Sequence, residues 1–189
     1  MARLTALLDS NVLYPAGLRD VLLRLADRYL YAPLWSADIH AEWMQSLLAD
    51  RPDLDREVVE RTRTAMDRHF PEAVVTGYQA VAANLDLPDA GDRHVLAAAI
   101  HAGADVIVTA NLRDFPADRL APYALTAQHP DAFVAGLFKT EPGGVLEAVR
   151  SHRAALRNPA RSPDEHLAAL EGLGLARTAA LLRPHVDAI

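Results

Sequence analysis

Six oxygen-bearing side chains stand where short apolar runs stop or where helical patterns begin: Asp9, Glu42, Asp89, Asp92, Asn111 and Asp114. Asp9 closes the run "LTALLD". Asp89 and Asp92 flank a glycine at the head of "LPDAGDRHVLAAAI". Asn111 and Asp114 follow "ADVIVT", and Glu42 lies at the edge of the stripe made by Ile39, Trp43 and Leu47. Carboxylates brought together repel one another, and burial raises their pKa values; a divalent cation removes that penalty. Mg2+ and Mn2+ prefer carboxylate and amide oxygens completed by water, which is the donor set on offer.

Each residue also has an ordinary reading. Asp9 can close a strand in an Asx-turn with "SNV". Asp92 can be the N-cap of the helix that follows, and Asp89 after Pro88 is a standard turn residue. Glu42 can be a solvated flank, and Asn111 with "LRDF" only a loop. The joint pattern favours the cation, because the elements that carry these residues bring them to one place.

Those elements alternate. "LTALLD" (4–9), "YLYAPLW" (29–35), "AVVTG" (73–77), "ADVIVTAN" (104–111) and "ALTAQHP" (124–130) read as strands, with "SNVLYPAG" as a turn after the first. Helical spacing runs through 18–26, then from 36 to 50 with Ser36 as its cap, through "LDREVVERTRTAMDRHF", and through 91–102, which Gly103 stops. Strands written as continuous apolar runs between helices predict a parallel sheet covered on both faces. The expected fold is α/β, three-layer α/β/α with a central, mostly parallel sheet, followed by helices only. We place the first domain at 1–138 and a helical C-terminal extension at 139–189. In an open parallel sheet, ligands bind outside the carboxyl ends of the strands. Asp9 and Asn111 are expected there, with Asp89 and Asp92 at the entry to the helix that leads into the fourth strand.

Composition narrows the classes. The chain carries no Cys, which excludes a disulfide framework and thiolate metal sites and fits a cytoplasmic protein. "MARLTALLDS" resembles neither a signal nor a transit peptide, and no apolar run approaches the ~20 residues of a membrane span, so no membrane partner is expected. The net charge is −6, from 19 Lys+Arg against 25 Asp+Glu, and Lys139 is the one lysine. An acidic chain is not a typical non-specific nucleic-acid binder, although a metal-loaded acidic site can still act on a phosphodiester. The histidines form no H-x-x-x-H pair with an adjacent Glu, which argues against a zinc hydrolase.

At "LLDSNVL" (7–13), Glu42 in "SADIHAEW", and "DAGDRHVLAAAIHAGADVIVTANLRDF" (89–115), taken in this order and spacing, the sequence resembles the PIN-domain ribonucleases, the fold of the VapC toxins of bacterial toxin–antitoxin pairs. The resemblance covers roughly 4–138, and acid–helix–strand–"T-x-N-x-x-D-F" is its most specific piece. The helical tail resembles the C-terminal extension of one subgroup of these toxins. The resemblance implies a Mg2+- or Mn2+-dependent endoribonuclease. Asp9, Glu42, Asp92 and Asp114 would be the catalytic acids, and Asp9, Glu42, Asp92, Asn111 and Asp89 the metal ligands. Many members have Asp where Asn111 stands, which puts a second metal position in question. The implied reaction is hydrolysis by a metal-activated water, with Asp92 or Glu42 orienting that water, leaving a 3′-hydroxyl and a 5′-phosphate. Arg19, Arg93, His94 and Arg113 are candidates to hold the RNA backbone, tRNA or rRNA being the implied substrate, against an ordinary reading as surface charge. The ordinary reading of His94, a partly exposed helix residue, is the favoured one. A cognate antitoxin protein and a homodimer follow from the same resemblance.

Two rivals stay open, and a third is set aside. A haloacid-dehalogenase-like phosphatase would have a second Asp at position 11, where Asn11 stands. A catalytically inactive domain that binds RNA or protein would not need the full acid set. A dinucleotide-binding fold would show G-x-G-x-x-G after the first strand, and the sequence has none.

Overall fold

The computed structural model describes residues 3–83 and 85–189. Among the described residues, the strands β1 (Thr5–Leu8), β2 (Ala32–Ser36), β3 (Val74–Val75), β4 (Val106–Val108) and β5 (Thr126–Gln128) form one parallel sheet in the order β3-β2-β1-β4-β5. The register pairs Leu7 with Leu34 on one side and Leu8 with Val108 on the other. The helices are α1 (Ser10–Leu13), α2 (Ala16–Asp27), α3 (Ala37–Asp50), α4 (Arg56–His69), α5 (Gln79–Ala82), α6 (Arg93–Ala102), α7 (Ala117–Leu120), α8 (Pro130–Thr140), α9 (Pro142–Ala155), α10 (Pro163–Gly172) and α11 (Ala176–Leu182). This is the α/β class expected, a parallel sheet of the three-layer α/β/α type with C-terminal helices. Among the described residues no helix is long and apolar enough to cross a membrane.

The chain divides into two compact units. One holds Leu4–Tyr14 and Ala32–Gln128, and so contains the whole sheet. Its core is the central strands, with Leu7, Leu8, Ile107 and Val108 fully buried, and Ala97, Ala98 and Ala99 of α6 equally so. β-Branched residues suit the pleated interior of β4, and small residues let a helix approach its neighbours closely. α6 ends at Gly103, whose backbone is left-handed (φ 62°), the conformation in which glycine closes a helix without a Cβ penalty. α3 begins at Ser36, whose hydroxyl accepts the Ile39 N–H at 3.2 Å.

The second unit is helical, built mainly from Pro15–Tyr31 and His129–Ile189. Asp131 of α8 accepts the backbone N–H groups of Arg177 and Thr178, each at 2.8 Å, and the Thr178 hydroxyl at 2.7 Å, so one carboxylate fixes the start of α11. A full capping box between Ser162 and Glu165 opens α10. Inside this unit His152 and His166 are buried against each other, Nδ1 of the first lying 3.3 Å from Nε2 of the second.

All five expected strands are present and shorter than the sequence suggests. Two local expectations fail. "SNVL" is one turn of helix rather than an open turn, because Asp9 caps it. "YLY" is not strand: Tyr29 has φ 60°, and β2 begins only at Ala32.

Candidate active site

In the order β3-β2-β1-β4-β5 the chain builds outward from β1 on one side and then returns to add β4 on the other. The gap between the carboxyl ends of β1 and β4 is therefore the switch point at which open α/β sheets bind ligands. Asp9 follows β1 directly, and Thr109 follows β4.

Asp9 is 3% exposed, and its backbone N–H donates to Val108 at 3.1 Å. Its carboxylate accepts the Ser10 N–H at 2.6 Å, the Asn11 side-chain amide at 2.6 Å and the Thr109 hydroxyl at 2.7 Å. Burial pushes the Asp9 pKa up, and the Thr109 and Ser10 hydrogen bonds oppose that shift. Asn11 spans the two strand ends. Its Nδ2 also lies 3.0 Å from the Thr109 hydroxyl, and its Oδ1 accepts the Ala110 N–H at 2.9 Å. Thr109 accepts the Asn111 N–H at 3.0 Å in turn. Every polar atom of this fully buried threonine hydroxyl is used, as a dry site requires. Neither Asn11 nor Thr109 was singled out by motif as a site residue. The signal available was an amide two residues after a strand-ending acid, facing a hydroxyl that ends the neighbouring strand.

Asp89 and Asp92 behave differently. Asp89 is exposed, and its Oδ1 accepts the Gly91 N–H at 2.7 Å, capping the short turn Ala90–Asp92 ahead of α6. Asp92 occupies the formal N-cap position of α6, yet its side chain makes no capping hydrogen bond. Its carboxyl is pushed up to about 7 by burial and then by the charges of Asp9, Asp114, Asp89 and Glu42. Four of the expected acids thus act electrostatically on the fifth, Asp92.

Glu42, on α3, is 43% exposed, and its Oε1 lies 2.7 Å from His94 Nε2. The His94 side chain is 17% exposed, partly buried in the first turn of α6. Burial alone would lower its pKa; the Glu42 hydrogen bond and the Glu42, Asp38 and Asp9 charges outweigh that, and the net shift is upward. Asn111 is exposed and donates its side-chain amide to Asp114. The basic candidates scatter. Arg113 is exposed in the Asn111–Asp114 segment. Arg93 is half-buried, and its Nε has no hydrogen-bond partner among the described residues. Arg19 lies on α2, which belongs to the helical unit.

The acids and the Asn111 amide offer oxygen donors, the set that hard divalent cations take, with the His94 imidazole held against Glu42. Among the described residues, no three His, Asp or Glu side chains are gathered closely enough to enclose an ion by themselves. Mg2+ is commonly held by one or two carboxylates with water filling the other positions, so this spacing remains compatible with it.

Residues 5–113 match the family model of the PIN domain, and the chain belongs to that family. Residues 130–184 match the model described as the VapC50 C-terminal domain. Among curated proteins, one from Mycobacterium tuberculosis (strain ATCC 25618 / H37Rv) named "Putative ribonuclease VapC50" is 60% identical over 43 residues, 23% of this chain. The match spans 25% of that relative's length. No solved structure matches the chain significantly.

Proposed function

We propose that this protein is a Mg2+- or Mn2+-dependent endoribonuclease and the toxin of a toxin–antitoxin pair. One observation carries the reading. At the switch point of a PIN-domain sheet, burial first, and then the charges of Asp9, Asp114, Asp89 and Glu42, push the Asp92 carboxyl up to about 7. Such a concentration of negative charge costs stability unless a cation neutralises it, and structure is retained against that cost where function needs it. The two family matches and the name of the mycobacterial relative point the same way.

Asp9, Asp92 and Glu42 would hold the cation, with Asn111, Asp89 and Asp114 beside them. When bound, the cation would polarise a phosphoryl oxygen and lower the pKa of an attacking water. Asp9 arrives fixed by its three donors, so its geometry needs no rearrangement. Asp92 or Glu42 would orient the water and take its proton, and the products would carry a 3′-hydroxyl and a 5′-phosphate. Arg93 and Arg113 are the basic side chains of this unit nearest the acids in sequence and would meet RNA phosphates. By the same reading a small antitoxin protein covers the acids, the toxin forms a homodimer, and both act in the cytoplasm.

The test is incubation of the purified protein with total tRNA and rRNA, with Mg2+, with Mn2+ and with chelator. Metal-dependent cleavage that Asp92→Asn abolishes supports the proposal. Intact RNA under every condition, or equal cleavage by the variant, overturns it.

A further inference from the structure

Glu42 is the one acid of the set carried on a long side chain in the middle of a helix. Left half-exposed, a glutamate samples several rotamers, and holding it in one costs conformational entropy. Asp9 avoids that problem through its three donors. Glu42 has an imidazole instead, and that imidazole comes from the first turn of α6, two residues beyond Asp92.

We infer that His94 is the positioning residue of Glu42, an inference that rests on the ribonuclease reading of this site. A carboxylate only accepts hydrogen bonds, so at 2.7 Å the proton sits on His94 Nε2 and is donated to Glu42 Oε1. The short distance belongs to the charge-assisted class. The other ring nitrogen, Nδ1, is buried and has no hydrogen-bond partner among the described residues, so Glu42 is the polar anchor of this ring. A ring that is 17% exposed and already committed to Glu42 is poorly placed to receive an RNA phosphate. The bond occupies Oε1 and leaves Oε2 for a cation. It also ties α3 to the start of α6, so the helices that carry Glu42 and Asp92 keep one relative setting. A histidine that donates to a carboxylate ligand does for it what outer-shell carboxylates do for ligating histidines.

The test is a double-mutant cycle with two readouts, Mn2+ affinity by calorimetry and kcat with KM on tRNA. His94→Ala is expected to weaken Mn2+ binding and lower kcat about 10–100-fold with KM little changed. His94→Gln, whose amide also donates, recovers part of both and guards against a folding defect. In a Glu42→Ala background, His94→Ala has no further effect on either readout. In the wild type the Nε2-bound proton of His94 gives an exchange-protected NMR signal that Glu42→Ala removes. An undiminished His94→Ala effect in the Glu42→Ala background, or a rise in KM alone, overturns the inference. A wild type that binds Mn2+ but leaves RNA intact sinks the ribonuclease reading, while the Mn2+ cycle still judges His94.

Discussion

Asp89 and Asp92, three residues apart, divide two tasks that a single acid is expected to combine. Asp89 caps the turn by accepting the Gly91 N–H at 2.7 Å, while Asp92 makes no capping bond and carries the electrostatic load of its neighbours.

The two are therefore separable by mutation. Asp92→Asn is expected to lower RNA cleavage by roughly 10^2–10^4-fold, the range of a lost general base, while melting no earlier than the wild type because an amide does not repel the other acids. Asp89→Ala is expected to lose about 1 kcal/mol of stability, the usual worth of a cap, and to keep most of its activity. Thermal melts beside cleavage assays distinguish the two, and the opposite assignment of losses would refute the division.

Thr109 is the fastener between β1 and β4. Thr109→Val keeps its shape and leaves Asp9 short of a donor and the Asn111 N–H short of an acceptor, a loss of roughly 1–3 kcal/mol for buried groups. Thr109→Ser keeps the hydroxyl and is expected near wild type. Urea denaturation of the pair checks this; a valine variant as stable as the serine variant would contradict it.

The metal-free protein is expected to lose part of its stability as pH rises. The folded pKa of Asp92, about 7, lies above its ordinary value of 3.8. Between those values the folded state binds more protons than the unfolded chain, so this contribution is present at low pH and is lost as pH rises through 7. Mg2+ reverses the loss by favouring the ionised form. The melting temperature difference between wild type and Asp92→Asn, followed from pH 4 to 8 with and without Mg2+, should show a slope that the ion removes.

The helical unit titrates in the opposite sense. Burial, the neighbouring His152 and the Arg161 and Arg153 charges lower the pKa of His166 from 6.5 to about 4. Burial likewise lowers that of His152, partly offset by Asp20. Here the unfolded chain binds more protons, so stability is full above 6.5 and falls as pH drops toward 4. His166→Leu should flatten that acid limb in circular-dichroism melts of the whole protein, and an unchanged limb would count against this origin.

The parts legible in the sequence were those with a strong local signature. "DVIVT" could hardly be other than a buried strand, and Gly103 marked the end of α6. The acids were legible as a group because alternation of strands and helices sends their carriers to one edge. What escaped depended on contacts distant in the chain. "SNVL" is too short for a periodic signal, and its helical turn follows from where Asp9 sits. Thr109 and Asn11 are 98 residues apart, and only the β1–β4 pairing makes them partners. Arg19 stands near Asp9 in sequence, yet it belongs to the helical unit with α8–α11, a grouping that no sequence spacing announces.

The manner in which Asp9 is held bears on which inactive form should be trusted. Ser10, Asn11 and Thr109 all converge on its carboxylate, so an Asp9→Asn chain would trade an acceptor for a donor among groups that already donate. Silence from that variant would be ambiguous between lost chemistry and a loosened scaffold. Asp92, whose side chain caps nothing, is the cleaner place to disarm the protein when a harmless but faithful copy is wanted for capturing the antitoxin proposed above.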